Sequence, residues 1–176
     1  MSGFESFESA RRRDEPGVSE WAPTVPAILP VQKEHLPGCV QLIHKSFLTV
    51  AEDFGFTPEN AFRFTAFAIT QERLAQQLAD PDWLLFVCWY NGQLAGYYSI
   101  HFQNHAVCEI NHLCIDPSLC HKGKGQGLLE HAFVQARQRP CKKMVLGLVE
   151  ENLVLKRWYQ SFDFFPFTCG YMEKLL

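Results

Sequence analysis

The chain has 176 residues, 47% of them hydrophobic and 20% charged, with a formal net charge of −3. That length suits one domain with a sizeable core. The mild acidity excludes a nucleic-acid binder that relies on a broad basic surface, and no apolar run approaches membrane-spanning length.

The first 25 residues hold Ser, Glu, Arg, Pro and Gly with few aliphatics. They read as a disordered tail, and residues 26–176 as a single domain. Arg11-Arg12-Arg13 has no apolar stretch after it, so this is not a secretory signal. Ala27 to Val31 reads as a first strand, at a sheet edge because prolines flank and interrupt it. Leu36, Cys39, Val40, Ile43, Phe47 and Val50 follow helical spacing, with Pro37 in the first turn, where a missing N–H costs little. Residues 52–68 are irregular and carry Phe54, Phe56, Phe62, Phe64 and Phe67. So many rings either fold back onto the core or line a pocket, and Phe54, Phe56 and Phe64 are the candidates for such a wall. Gln71 to Ala79 then reads as a short helix.

Trp83 to Tyr90 is a run of β-formers, and Asn91-Gly92 predicts a type I′ hairpin turn into a return strand, Leu94 to Phe102. Another turn at Asn104-His105 leads into a strand ending at Ile115. After it come Asp116-Pro117, three alternating glycines (Gly123, Gly125, Gly127) and a helix marked by Leu128, Leu129, Ala132, Phe133 and Ala136. Met144 to Val149 is the continuous apolar run of a strand buried on both faces. Leu155, Trp158, Tyr159 and Phe162 mark a last helix, and Phe164–Phe167 and Tyr171–Leu175 two closing strands. The order predicts an α/β (α+β) layer fold with a mixed sheet.

A strand that stops, a glycine turn and a helix start make an anion site. The first amides of a helix lack internal partners, the macrodipole places positive charge there, and glycines let a phosphate approach the backbone. Lys122 and Lys124 add charge. The spacing is Gly-x-Gly-x-Gly, which is neither a Walker loop nor the dinucleotide fingerprint.

Cys120-His121-Lys122-Gly123-Lys124-Gly125, placed after Leu113-Cys114-Ile115-Asp116-Pro117, resembles the Gln/Arg-x-x-Gly-x-Gly/Ala motif of the GNAT superfamily, the Gcn5-related N-acetyltransferases. Cys120 departs from the family's Gln or Arg, although Lys122-x-x-Gly125-x-Gly127 restores a basic first residue. A second block, Asn152 to Phe164, is similar to the family's Asn-x6-Tyr-x3-Gly-Phe, with Asp163 in place of Gly. The resemblance covers residues 27–176 and implies a mixed, mostly antiparallel sheet of about six to seven strands, with about four helices on both faces. It also implies acetyl-CoA as cosubstrate and direct transfer to an amine, by a monomer or homodimer needing neither nucleic acid nor membrane.

Residue by residue, the resemblance implies that Leu113, Cys114, Ile115, His121, Lys122, Gly123, Lys124, Gly125, Gln126, Asn152 and Tyr159 bind the coenzyme. By the same resemblance the strand splays from the next parallel strand at Leu113, whose amide would stabilise the oxyanion. Tyr159 would be the general acid toward the leaving thiolate, and Glu109 the base. By their patterns alone, Tyr159 is equally a core aromatic, Asn152 a helix N-cap and Glu109 a solvated strand residue, with His112 a rival base. On a regular strand Glu109, Asn111 and Leu113 would share one face and Ile110, His112 and Cys114 the other; a bulge, which the resemblance implies here, would break this alternation. No Cys/His cluster has metal-ligand spacing, so no metal role is expected. Seven cysteines, an odd number without a Cys-x-x-Cys pair, read as reduced thiols in a reducing cytoplasm. The alternative to an enzyme is a non-catalytic acyl-CoA-binding module.

Overall fold

A computed structural model of the chain describes residues 27–119 and 123–176. The tail expected at residues 1–25, and Cys120, His121 and Lys122, lie outside the described residues. Seven strands form one sheet: β1 (Ala27–Pro30), β2 (Trp83–Tyr90), β3 (Gln93–Phe102), β4 (Val107–Ile115), β5 (Lys143–Gly147), β6 (Phe165–Thr168) and β7 (Tyr171–Leu175). Their spatial order is β1-β2-β3-β4-β5-β7-β6. Every pairing is antiparallel except β4 with β5. The described helices are α1 (Leu36–Phe54), α2 (Thr65–Ala68), α3 (Gln71–Ala79), α4 (Lys124–Arg137) and α5 (Leu153–Gln160). None of these is long and apolar enough to cross a membrane.

Local chemistry accounts for these elements. Asn91 and Gly92 have φ of 49° and 73°, as a type I′ turn between β2 and β3 requires. Both proline-bearing strands, β1 and β6, lie at sheet edges, where a missing N–H breaks no ladder. The Thr70 side chain accepts from the Arg73 amide and starts α3.

The helices cover both faces of the sheet. On one face Leu128, Leu129, Ala132, Phe133 and Ala136 of α4, with Tyr159 of α5, pack on Phe86, Tyr98, Ile100, Cys108, Ile110, Met144 and Leu146. The helical spacing in the sequence had named that α4 face. The Tyr98 hydroxyl hydrogen-bonds His131 Nδ1 at 2.6 Å and pins α4 to β3. On the other face Leu36, Cys39, Leu42 and Ile43 of α1, with Leu74 of α3, cover Leu85, Val87, Tyr97 and Cys114.

Several elements differ from expectation. α1 runs on to Phe54, where Gly55 caps it with φ 66°, so Phe54 is helical and not part of an irregular segment. The helix α2 is a fifth, of one turn, inside that segment. β5 starts at Lys143 and ends at Gly147. Leu148 and Val149 therefore lie beyond it, and their apolarity reflects partial burial and not strand pairing. Phe164 precedes β6 and is fully buried, whereas Phe165 and Phe167 on that edge strand are exposed.

Candidate active site

The parallel pairing of β4 with β5 runs from Val107↔Lys143 to Ile110↔Leu146. β4 then continues for five more residues, to Ile115, beside β3 alone. The two central strands stop pairing after Ile110, which leaves a gap in the ladder. Opposite β3 the register slips between Tyr97↔Cys114 and Ser99↔Asn111, so His112 and Leu113 together oppose Tyr98. This is a β-bulge, and His112 takes φ 53° within it. The bulge ends the simple alternation: Ile110 packs on the α4 face, whereas Cys114 packs on the α1 face and Leu113 against the α4 side.

Three elements converge on this gap. α1 latches the far end of β4: Lys45 Nζ pairs with Asp116 at 2.8 Å, and Ser46 Oγ donates to the Ile115 carbonyl at 3.0 Å. α4 begins at Gly123, in the left-handed region at φ 71°, with open space where a Cβ would stand. α5 brings Trp158 and Tyr159. A Cβ built on Gly125, in the first turn of α4, would lie 3.7 Å from Trp158 Cζ2. Tyr159 packs its ring edge-on against Trp158 at 4.8 Å and Phe164 at 5.5 Å. Burial, and after it the nearby Cys114 thiol, push the Tyr159 phenol above its ordinary value. It therefore stays protonated and able to donate throughout the neutral range.

The sequence model of the acetyltransferase (GNAT) family matches residues 47–164, about two thirds of the chain. The chain belongs to the acetyltransferase (GNAT) family. A relative from Lactobacillus delbrueckii subsp. lactis, described as an uncharacterised N-acetyltransferase in the pepI 3′ region, is 27% identical over 143 residues, 76% of this chain and 81% of the relative. The PaiA N-acetyltransferase of Thermoplasma acidophilum, solved with coenzyme A, superimposes with a TM-score of 0.76 at 18% identity, covering 86% of this chain and 99% of that one. The ribosomal-protein-S18-alanine N-acetyltransferase of Escherichia coli superimposes at 0.66, with 18% identity over 86% of this chain and 94% of that one. The GNAT fold and N-acetyltransferase class read from the sequence are those found.

Within this GNAT frame the candidate residues divide. Leu113, Cys114 and Ile115 lie on the part of β4 that has left β5. Gly123, Lys124, Gly125 and Gln126 form the start of α4, while His121 and Lys122 lie outside the described residues. Lys124 Nζ sits 3.3 Å above the Tyr90 ring centroid, so that its charge is held by a cation–π contact. The Gln126 side chain donates to Glu130 at 2.8 Å along the exposed face of α4. Asn152 caps α5, its side chain accepting from the Leu155 amide at 3.0 Å.

Glu109 stands one pair before the strands part, opposite Val145, and its carboxylate accepts from Gln103 Nε2 at 2.9 Å. His112, the rival base, is at the bulge itself with its Nδ1 buried and unpartnered. Burial, and then the positive charge of Arg73, lower its pKa to about 4, so the ring is neutral at neutral pH.

Two features of the site escaped sequence reasoning. One is Gly96 on β3: a Cβ there would lie 2.7 Å from Leu128 Cδ1, 2.8 Å from Ile115 Cδ1 and 3.2 Å from the Cys114 carbonyl. Only a glycine lets the start of α4 and the end of β4 close over β3. A glycine inside a strand pattern is the sequence signal that could have found it. The other is Trp158, read as a core position of α5, which lies against the first turn of α4.

Proposed function

We propose that the protein moves an acetyl group from acetyl-CoA directly to an amine, without an acyl-enzyme. The observation that carries this is the parting of β4 and β5 beside a glycine-capped helix start. Such a gap accepts an extended thioester arm, and the free amides and dipole of α4 suit the pyrophosphate, with Gly123, Lys124, Gly125 and Gln126 as its cradle. His121 and Lys122 complete that cradle in this reading, and Leu113, Cys114, Ile115 and Asn152 flank the pantetheine. The coenzyme A bound by the Thermoplasma acidophilum protein supports the assignment by likeness of fold.

The chemistry follows from the groups present. The amine's lone pair attacks the thioester carbonyl, the Leu113 amide steadies the oxyanion, and the C–S bond breaks as the tetrahedral intermediate collapses. The leaving thiolate takes a proton from Tyr159, which burial keeps protonated, and the phenolate recovers one from the acetylated nitrogen, which gives up its second proton as the amide forms. Glu109, directly or through a water, accepts the proton lost by the incoming ammonium. Holding both reactants in one gap removes much of the entropic barrier. The buried thiols of Cys39, Cys88 and Cys108 suit a reducing cytoplasm, where we place the reaction.

The test is release of free coenzyme thiol from acetyl-CoA against a panel of amines. Amine-dependent release that Tyr159→Phe suppresses supports the reading. Binding of acetyl-CoA with no amine turned over would sink it in favour of a non-catalytic acyl-CoA-binding module.

A further inference from the structure

A train of half-buried phenylalanines starts at the gap and leads away from it. Phe47 of α1 meets the His112 ring edge-on at 6.5 Å and Phe64 at 6.0 Å. Phe64 meets Phe56 edge-on at 5.1 Å and Phe67 at 6.2 Å. Each of these four phenylalanines is only partly buried, unlike the core rings Tyr97, Tyr98 and Phe164, which are fully buried. These rings keep apolar surface at the border of water, and Phe47, which also packs against the α1-side core, carries the train to His112 of β4. Their mutual edge-to-face contacts use ring faces on one another instead of leaving them to frame a cation. A polyamine would have to strip water from its further ammonium groups to lie along apolar rings whose faces are turned on one another. A hydroxyl-rich amine would lose hydrogen bonds to water against such a wall and regain none from it.

We infer that the acceptor is a primary monoamine carried on an aromatic body, seated along Phe47, Phe56 and Phe64 with its nitrogen toward the bulge at His112 and Leu113. This rests on the acetyl-transfer reading above and names its substrate class. The ring train aligns the flat body by edge and face contacts, and the amine enters the gap where the strands part. The rings discriminate against polyamines and against sugars.

The experiment is steady-state kinetics of the full chain with 2-phenylethylamine, spermidine and ethanolamine, for the wild type, Phe64→Leu and Phe56→Ala, with melting temperatures of all three proteins. We expect kcat/KM for 2-phenylethylamine to exceed that for either other amine by at least about tenfold. Phe64→Leu, which keeps apolar bulk and loses the ring, should raise KM for 2-phenylethylamine at least about fivefold. Its KM for acetyl-CoA should stay within about twofold of the wild type. Phe56→Ala should do the same, and either variant suffices if the other does not fold. A preference for spermidine or ethanolamine overturns the inference and leaves acetyl transfer standing. So do lowered melting temperatures with an unchanged KM for 2-phenylethylamine, which would make the rings core. Failure of every amine while acetyl-CoA still raises the melting temperature overturns the transfer reading and this inference with it.

Discussion

Gly125 faces the indole of Trp158: a Cβ at position 125 would rest 3.7 Å from Cζ2, an ordinary van der Waals contact. The first turn of α4 and the helix that carries Tyr159 are therefore in register across the candidate site. Among the described residues a methyl at 125 meets only this ordinary contact, so a small side chain there tests the anion site without demanding that the fold rearrange.

Acetyl-CoA at a hundredfold its Kd should stabilise the wild type by about 2.7 kcal/mol, which for a domain of this size raises the Tm by roughly 5–10 °C. Gly125→Val should abolish that shift by placing methyls where phosphate approaches. Gly125→Ala should fold as well as the wild type without ligand and show a reduced shift. Equal shifts in all three proteins, read by differential scanning fluorimetry, would refute the cradle.

Glu109 and Tyr159 can be separated by pH. Glu109→Gln keeps shape and loses the base, so its deficit in kcat/KM should shrink as pH rises and the amine deprotonates unaided. Tyr159→Phe loses the proton that burial holds on the phenol, so its deficit should persist at high pH. Each loss should lie between about 10² and 10⁴ in rate. Parallel profiles with less than about threefold loss would remove both residues from the mechanism.

His112 should make the fold sensitive to acid. Its folded pKa, about 4, lies below the unfolded value of 6.5 because of burial and the facing Arg73. The unfolded chain gains this proton first. The stability is fully present above pH 6.5 and is lost as pH falls toward 4, in total about 3 kcal/mol. His112→Asn keeps a residue tolerant of φ 53° and removes the titration. Chemical denaturation from pH 7 to 4.5 should show a shallower loss in the variant; the same slope in both would show that other groups govern acid unfolding.

Gly96→Ala should destabilise the protein by about 1–3 kcal/mol, because its methyl overlaps Leu128 and Ile115 and approaches the Cys114 carbonyl. Urea unfolding reads this directly. A change under about 0.5 kcal/mol would mean that the end of β4 yields easily. Kinetics on the folded variant should then show whether the gap has shifted.

Much of the fold was legible because it is written locally. Helical spacing of Leu128, Leu129, Ala132, Phe133 and Ala136 named the buried face of α4. Asn91-Gly92 named the hairpin, because both residues accept positive φ, and prolines placed β1 at an edge. Gly123 announced the start of a helix for the same conformational reason.

The site was legible only in outline. No local pattern states where two parallel strands stop pairing, since that depends on how α1, α4 and α5 pull on the ends of β4 and β5. The bulge at His112 and Leu113 is a choice of register against β3, made by contacts far apart in sequence, and it decides which side chains face which layer. The ring train from Phe47 to Phe56, the charge of Arg73 on His112, and Trp158 beneath Gly125 join elements distant along the chain. Residue types and spacings by themselves determined the order of elements, the glycine-capped helix and the apolar faces, because these follow from backbone preference and periodicity. Tertiary structure decided where the strands stop pairing, the register of the bulge and the contacts of the ring train, because these come from packing and pairing between elements that no periodicity relates.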